Sequence, residues 1–113
     1  MEPEPITGSC LRRLAEDVAA VSDRYAERHG IDRTDTWYLL KLQEEVGELT
    51  QAYLARAGQA RDKGLTAAQR DEAYRAELAD VLCHVLLLAR RDGVDLLAEV
   101  ERKWLSRLPG RAG

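Results

Sequence analysis

The sequence predicts an all-α fold: a four-helix, bundle-like single domain spanning residues 1–113. Three observations carry this expectation. Proline is confined to the ends of the chain (Pro3, Pro5 and Pro109), so nothing interrupts the middle. Apolar residues recur every three or four positions over long stretches, the period of one helix face. β-Branched residues are sparse and never alternate, so no strand pattern competes.

The first helix is expected from about Cys10 to His29, capped by Ser9 and ended by Gly30. Leu11, Leu14, Val18, Val21 and Tyr25 make its apolar stripe. The second is expected from about Thr36 to Ala57, with Asp35 as cap and Gly58 after it. Unrolled at about 100° per residue, it gathers Leu39, Leu42, Val46, Leu49 and Tyr53 on one face. The charged stretch Gly58–Leu65 reads as a loop. The third helix starts after Thr66, where Thr66 and Gln69 have capping-box spacing, and continues to about Asp92. From Val81 to Ala89 every residue except His84 is apolar or cysteine, which covers the whole circumference. Such a helix must be buried all round, and three other short helices cover part of it. The rest, with Leu86 and Leu87 in it, is expected to meet a second subunit about a two-fold axis. The fourth helix is expected from roughly Asp95 to Leu108, closed by Pro109 and Gly110. Residues 1–8 and 110–113 are expected to be mobile.

Five acids stand where helices normally carry apolar side chains: Glu44, Glu45 and Glu48, then Glu77 and Asp80. Glu45 with Glu48, and Glu77 with Asp80, are i,i+3 pairs that share a helix face. Glu45 falls at the margin of the apolar face of the second helix, with Glu48 beyond it and Glu44 further round. Two such helices packed together point four carboxylates at one another. That arrangement is repulsive and costly to bury unless a divalent cation sits among them. Oxygen ligands suit Mg²⁺ best, with Mn²⁺ as a substitute. A single pair of this kind on a solvated face, with Lys41 as ion-pair partner, would be worth tenths of a kcal/mol and no more.

The segments Lys41–Leu49 and Glu77–Val81 resemble the two halves of the E-E-x-x-E … E-x-x-D signature of the MazG-like, all-α nucleoside triphosphate pyrophosphohydrolases. The intervening stretch from Leu49 to Ala76 is compatible with that signature. The likeness extends more weakly to Glu101–Trp104. The resemblance implies a helical bundle assembled as a homodimer or a dimer of dimers. It implies Mg²⁺-dependent cleavage of a nucleoside triphosphate to monophosphate and pyrophosphate, a nucleotide-pool housekeeping activity. Glu45, Glu48, Glu77 and Asp80 would hold the metal. Glu44 points about 100° away from Glu45. It is the candidate base for the attacking water, in agreement with the first Glu of the signature; the alternative is a further metal ligand.

Other candidates surround these acids. Lys41 either contacts a phosphate or pairs with Glu45 or Glu48. Trp37, one turn earlier, either stacks on a base or belongs to the core. His84, four residues after Asp80, either approaches the nucleotide or is a satisfied core histidine. Lys103 and Arg102 offer positive charge from the fourth helix, where cations also suit the last turn. The chain has no Asn and no Phe, so base recognition is expected to depend on backbone groups, Trp37, tyrosines or His84, or to be loose.

Composition excludes several classes. A formal net charge of −3 leaves no basic footprint for nucleic acid. No apolar run reaches the length of a membrane span. The N-terminus is acidic and proline-bearing, unlike a signal peptide, and Cys10 and Cys83 lack metal-ligand spacing, so a cytoplasmic protein with free thiols is expected. A di-iron bundle would need Glu-x-x-His pairs. Here Ala26 precedes His29 and Val81 precedes His84 at that spacing. The alternative from another class is a degenerate helical module that binds nucleotide, or a protein partner, without turnover.

Overall fold

A computed structural model describes residues 8–110. Four α-helices follow one another: α1 (Gly8–His29), α2 (Trp37–Arg56), α3 (Ala67–Arg91) and α4 (Leu96–Lys103), with a 3₁₀ turn at Leu105–Arg107. No strand occurs among the described residues, so the all-α expectation holds. No helix among them is long and apolar enough to cross a membrane. The ends expected to be mobile lie, at 1–7 and 111–113, outside the described residues, and Gly8 itself opens α1.

Local chemistry sets the helix ends. Thr66 and Gln69 form the expected capping box: Gln69 N–H donates to Thr66 Oγ1 at 3.1 Å, and Thr66 N–H donates to Gln69 Oε1 at 2.9 Å. Asp95 caps α4 by accepting from Ala98 N–H at 3.1 Å. One expected cap differs. Helix α1 begins at Gly8, which places Ser9 inside the helix. Helix α2 starts at Trp37, whose N–H donates to the Thr34 carbonyl at 3.1 Å. At the end of α2, Gly58 takes φ +74°, and Gln59 N–H reaches back to the Leu54 carbonyl at 2.8 Å. Gly93 closes α3 in the same way, with Val94 N–H on the Ala89 carbonyl at 2.9 Å. This is the 6→1 bond that a left-handed residue after the helix permits.

Helix α4 stops earlier than Leu108. Ser106 Oγ donates to the Arg102 carbonyl at 2.7 Å, which competes with the backbone ladder. Pro109 then excludes Leu108 from helical space, and Leu108 is extended at φ −71°, ψ 138°.

The chain divides into two compact units, Met1–Ile31 with Leu86–Gly113, and Asp32–Val85. In the first, the buried residues are Ala19, Ala26, Leu86, Leu87 and Ala89. This corrects two expectations. Helix α1 buries alanines, while Leu14, Val21 and Tyr25 of its bulky stripe stay exposed. Leu86 and Leu87, expected at a subunit interface, are 3% and 6% exposed within the chain itself.

In the second unit the balance is reversed. Leu39, Val46 and Tyr53 of α2 remain exposed, as do Leu78 and Leu82 of α3. The residue that unit buries most deeply is Glu45, at 7% exposure. Of the apolar stripe read from the sequence only Leu42 and Leu49 are half-buried; the residue that α2 buries most deeply is the acid at its margin.

Because Leu86 is enclosed by its own chain, Leu86→Ala should cost about 2–5 kcal/mol of folding stability, the usual worth of a buried leucine and the cavity it leaves. Urea unfolding checks this. A loss below about 1 kcal/mol would mean that Leu86 is not part of the core.

Candidate active site

Within the unit Asp32–Val85, α2 and α3 form an antiparallel hairpin. Three contacts give its register. The Trp37 and His84 rings are 6.4 Å apart at one end. Tyr53 and Tyr74 meet edge-on at 5.8 Å further along. Arg56 Nε donates to Asp71 Oδ1 at 2.9 Å near the connecting loop. Asp71 also pairs with Arg75 at 3.0 Å, and the Arg56 guanidinium lies 4.8 Å from the Tyr74 ring centre. This clamp holds the loop end together, so the middle of the hairpin is fixed from both sides.

The acids occupy that middle. Glu45, Glu48 and Glu77 each offer a carboxylate oxygen, and these oxygens lie within 4.8 Å of one another. Glu45 is buried, Glu77 half-buried and Glu48 exposed. The Oε2 atoms of Glu45 and Glu77 are buried with no hydrogen-bond partner. Glu45 is pushed up to about 7, first by burial, then by the Glu48 charge and a hydrogen bond to Glu48, then by Asp80; Lys41 opposes weakly. Glu77 is also raised, by burial and then by Asp80 and Glu48. A buried oxygen without a donor is costly. Two of them on acids that repel each other mark a place shaped for a cation. The trio contains no nitrogen or sulfur, so its chemistry fits a hard divalent ion such as Mg²⁺ or Mn²⁺. An octahedral ion with bonds of about 2.1 Å spans opposite ligands at about 4.2 Å, which three oxygens this close can meet with small movements.

The other sequence candidates fall around this trio. Asp80 is exposed and outside the close group, but near enough for its charge to act on Glu45 and Glu77. Glu44 turns outward with a side chain 57% exposed, and Lys41 Nζ sits 3.5 Å from it and 3.8 Å from Glu45. Of the two expected partners, Glu45 and Glu48, Lys41 pairs with Glu45, and it pairs with Glu44 as well. Trp37 is half-buried, edge-on to Tyr38 at 5.0 Å. His84 Nε2 lies 3.9 Å from Glu45 Oε1, and its Nδ1 is buried without a partner. Burial and the Lys41 charge push the His84 pKa down, against Asp80, Glu44 and Glu48, so the ring is neutral near pH 7 and the 3.9 Å contact is not an ion pair. Lys103 ends α4 in the other compact unit, and Arg102 beside it is engaged by Glu99 at 3.0 Å. Cys10 and Cys83 form no disulfide among the described residues. Burial and Asp80 push the Cys83 thiol up, which keeps it protonated.

Sequence reading passed over one feature. A cavity of about 700 Å³ has Glu48 and Glu77 in its wall together with Arg61, Lys63 and Arg70. The available signal was the seven-residue spacing of Arg70 and Glu77, which puts them on one face of α3.

An antiparallel helical hairpin with an all-oxygen carboxylate cluster defines the class: an all-α protein whose clustered glutamates could hold a metal ion. The family model described as the MazG nucleotide pyrophosphohydrolase domain matches residues 33–112, and the chain belongs to this family. That match contains α2, α3 and α4 complete. Comparison with curated proteins and with solved structures found no match.

The raised Glu45 pKa makes metal-free stability pH-dependent. Between 4.5 and about 7 the folded chain keeps a proton that the unfolded chain releases. Stability should therefore fall as pH rises through that window and level off above it. Glu77 acts in the same direction, while His84, with its depressed pKa, costs stability below 6.5. Comparing wild type with Glu45→Gln isolates the first effect. Thermal unfolding midpoints should diverge from about pH 5 to about pH 8, the variant being the more stable at the higher pH. Mg²⁺ should raise the wild-type midpoint more at about pH 8 than at about pH 5. A wild-type-to-variant difference that is constant with pH would contradict this electrostatic account.

Proposed function

We propose that this protein is a Mg²⁺-dependent nucleoside triphosphate pyrophosphohydrolase that converts a (d)NTP to the (d)NMP and pyrophosphate, as a cytoplasmic nucleotide-pool enzyme. The observation that carries the proposal is the convergence of Glu45, Glu48 and Glu77, with two orphaned oxygens, on helices that lie inside the family match. Asp80 completes the ligand set as a charge at its edge. The bound ion supplies neutralisation of the phosphate oxygens and of the charge that develops on pyrophosphate.

The chain's own residues do the rest. Glu44 stands outside the trio with an exposed carboxylate, so it is free to receive the proton of the attacking water. The water oxygen joins phosphorus, the α–β bridge breaks, and pyrophosphate leaves with the bonding electrons. Lys41 holds Glu44 from one side and is placed to meet a phosphate oxygen once the acids are occupied. Trp37 and His84 form the nucleoside end of the hairpin, their rings 6.4 Å apart.

We also propose that a second copy covers the exposed seam of Leu39, Val46 and Tyr53 with Leu78 and Leu82. The α2 residues repeat every seventh position, and Leu42 and Leu49 fall between them, the spacing of a helix–helix seam. Leu82→Arg alters a side chain that is 50% exposed in the chain, so it should leave the fold intact and lower the assembly size in light scattering. A monomeric wild type at micromolar concentration overturns this part.

Activity is tested with a panel of nucleoside triphosphates and Mg²⁺. At least one should yield monophosphate plus pyrophosphate, and EDTA should abolish the reaction. Orthophosphate with a diphosphate product would sink the assignment, and no turnover on any triphosphate would favour nucleotide binding alone.

Glu48→Gln and Glu44→Gln separate the roles. The first should lose Mg²⁺ affinity and turnover together. The second should bind Mg²⁺ and a non-hydrolysable analogue nearly normally while turnover falls about 10²–10⁴-fold. Equal loss of binding in both variants would make Glu44 another ligand.

A further inference from the structure

We propose that the α2–α3 loop is the pyrophosphate-holding wall of the site, with Arg61, Lys63 and Arg70 binding the two terminal phosphates. This sets the direction of the nucleotide along the hairpin: nucleoside toward Trp37 and His84, leaving group toward the loop. The inference rests on the pyrophosphohydrolase reading and adds residues and a polarity to it.

The cavity of about 700 Å³ lies wholly within the unit Asp32–Val85. Glu48 and Glu77, two of the three clustered carboxylates, form part of its wall, so it opens from the candidate metal centre. One turn beyond each acid, on the loop side, both helices carry alanine in that wall: Ala52 after Glu48 and Ala73 before Glu77. Bulky side chains there would fill the space beside the acids. Alanines leave it open where a phosphate attached to the ion would extend.

The far wall is cationic. Arg61 and Lys63 line it and make no ion pair among the described residues. The carboxylate between them, Asp62, is already used: its Oδ1 accepts Gly64 N–H at 2.8 Å and shapes the loop. Arg70 donates from Nη1 to the Leu65 carbonyl, which ties the loop to the start of α3 and still leaves the guanidinium further donors. The neighbouring cations Arg56 and Arg75 are committed to Asp71 and stand outside the cavity wall. The hairpin thus assigns one set of cations to its own structure and leaves another facing an open cavity.

Arg70 and Glu77 are seven residues apart, about 10 Å of helix. A diphosphate held at the carboxylates and an arginine side chain reaching back bridge that span together. Two terminal phosphates carry most of the charge of a nucleoside triphosphate, and unpaired guanidinium and ammonium groups are the donors that suit them. At the opposite end of the hairpin stand the half-buried Trp37 and, with its ring 6.4 Å away, His84. That end suits a flat, uncharged base and not a polyphosphate.

The test uses the full chain with the Arg61→Ala/Lys63→Ala double variant, both changes falling on an exposed loop. Calorimetric titration with inorganic pyrophosphate in the presence of Mg²⁺ should show at least about a tenfold loss of affinity in the variant. Titration with Mg²⁺ alone, and with a nucleoside monophosphate, should be unchanged. In turnover assays KM should rise and product inhibition by pyrophosphate should weaken. Arg70→Lys should retain more pyrophosphate affinity than Arg70→Ala.

Unchanged pyrophosphate affinity in the double variant, or no pyrophosphate binding by the wild type, overturns the proposal. An equal loss of monophosphate affinity also overturns it, since the loop would then act as a general field and not as the leaving-group end. The outcomes distinguish the two readings. A wild type that binds pyrophosphate through these residues but turns over no triphosphate leaves the wall in place and removes the activity. A wild type that turns over normally beside an indifferent double variant does the reverse.

Discussion

A carboxylate removed from water must find a proton, a donor or a cation, and Glu45 is in that position. It is the most deeply buried residue of the unit Asp32–Val85, yet one of its oxygens has no partner and its nearest acid is another glutamate. Lys41 is the close cation, at 3.8 Å, and its pull is outweighed by burial and by Glu48. Much of the hairpin's design follows from this conflict. Glu77 repeats it from the facing helix, with a second orphaned oxygen. The Arg56–Asp71 bridge beside Tyr74 then keeps the helices registered, so the repelling groups do not move apart. A structure that holds acids together against their repulsion could lower its free energy by taking up a metal ion among them.

The helices and several of their ends were legible in the sequence because they depend on local chemistry. The Thr66–Gln69 capping box, the Asp95 region and the glycines after α2 and α3 act within a few residues, and the structure uses them. Where local rules competed, the reading slipped. Ser9 is a good cap by type, but an earlier start at Gly8 takes precedence. Ser106 and Pro109 end α4 before the apolar pattern does. Three of the five signature acids come together as their spacing suggests, while Asp80 acts at longer range and Lys103 belongs to the other compact unit.

The choice of buried face was not legible, for a physical reason. Hydrophobic periodicity says which side of a helix avoids water; it does not say what covers that side. On α1 the bulky stripe and the alanine face are both plausible packing surfaces, and Ala19 and Ala26 are the buried ones. On α2 the stripe Leu39–Val46–Tyr53 is as regular as a core pattern, yet it stays open, and Leu39 is 56% exposed. Leu86 and Leu87 sit in a stretch apolar on every side and are absorbed by the chain's own core. The loop cations were overlooked for the opposite reason: Arg61 and Lys63 look like ordinary solvated charge until Asp62 is found committed to Gly64.

Lys41 shows how one charge can divide a small site. Its ammonium lies against Glu44 and Glu45, and its field also helps hold the His84 pKa down. Burial is the larger cause, and the lysine adds to it against the pull of Asp80, Glu44 and Glu48. A protonated His84 would give the Trp37 end a positive charge and make it a second place for phosphate. With the ring neutral, strong anion-binding capacity is concentrated at the other end of the hairpin, where Arg61, Lys63 and Arg70 line the open cavity. In the proposed orientation, the same lysine that steadies Glu44 for water also keeps the two ends of the hairpin chemically unlike. A long, charged substrate laid between them then has one favourable direction.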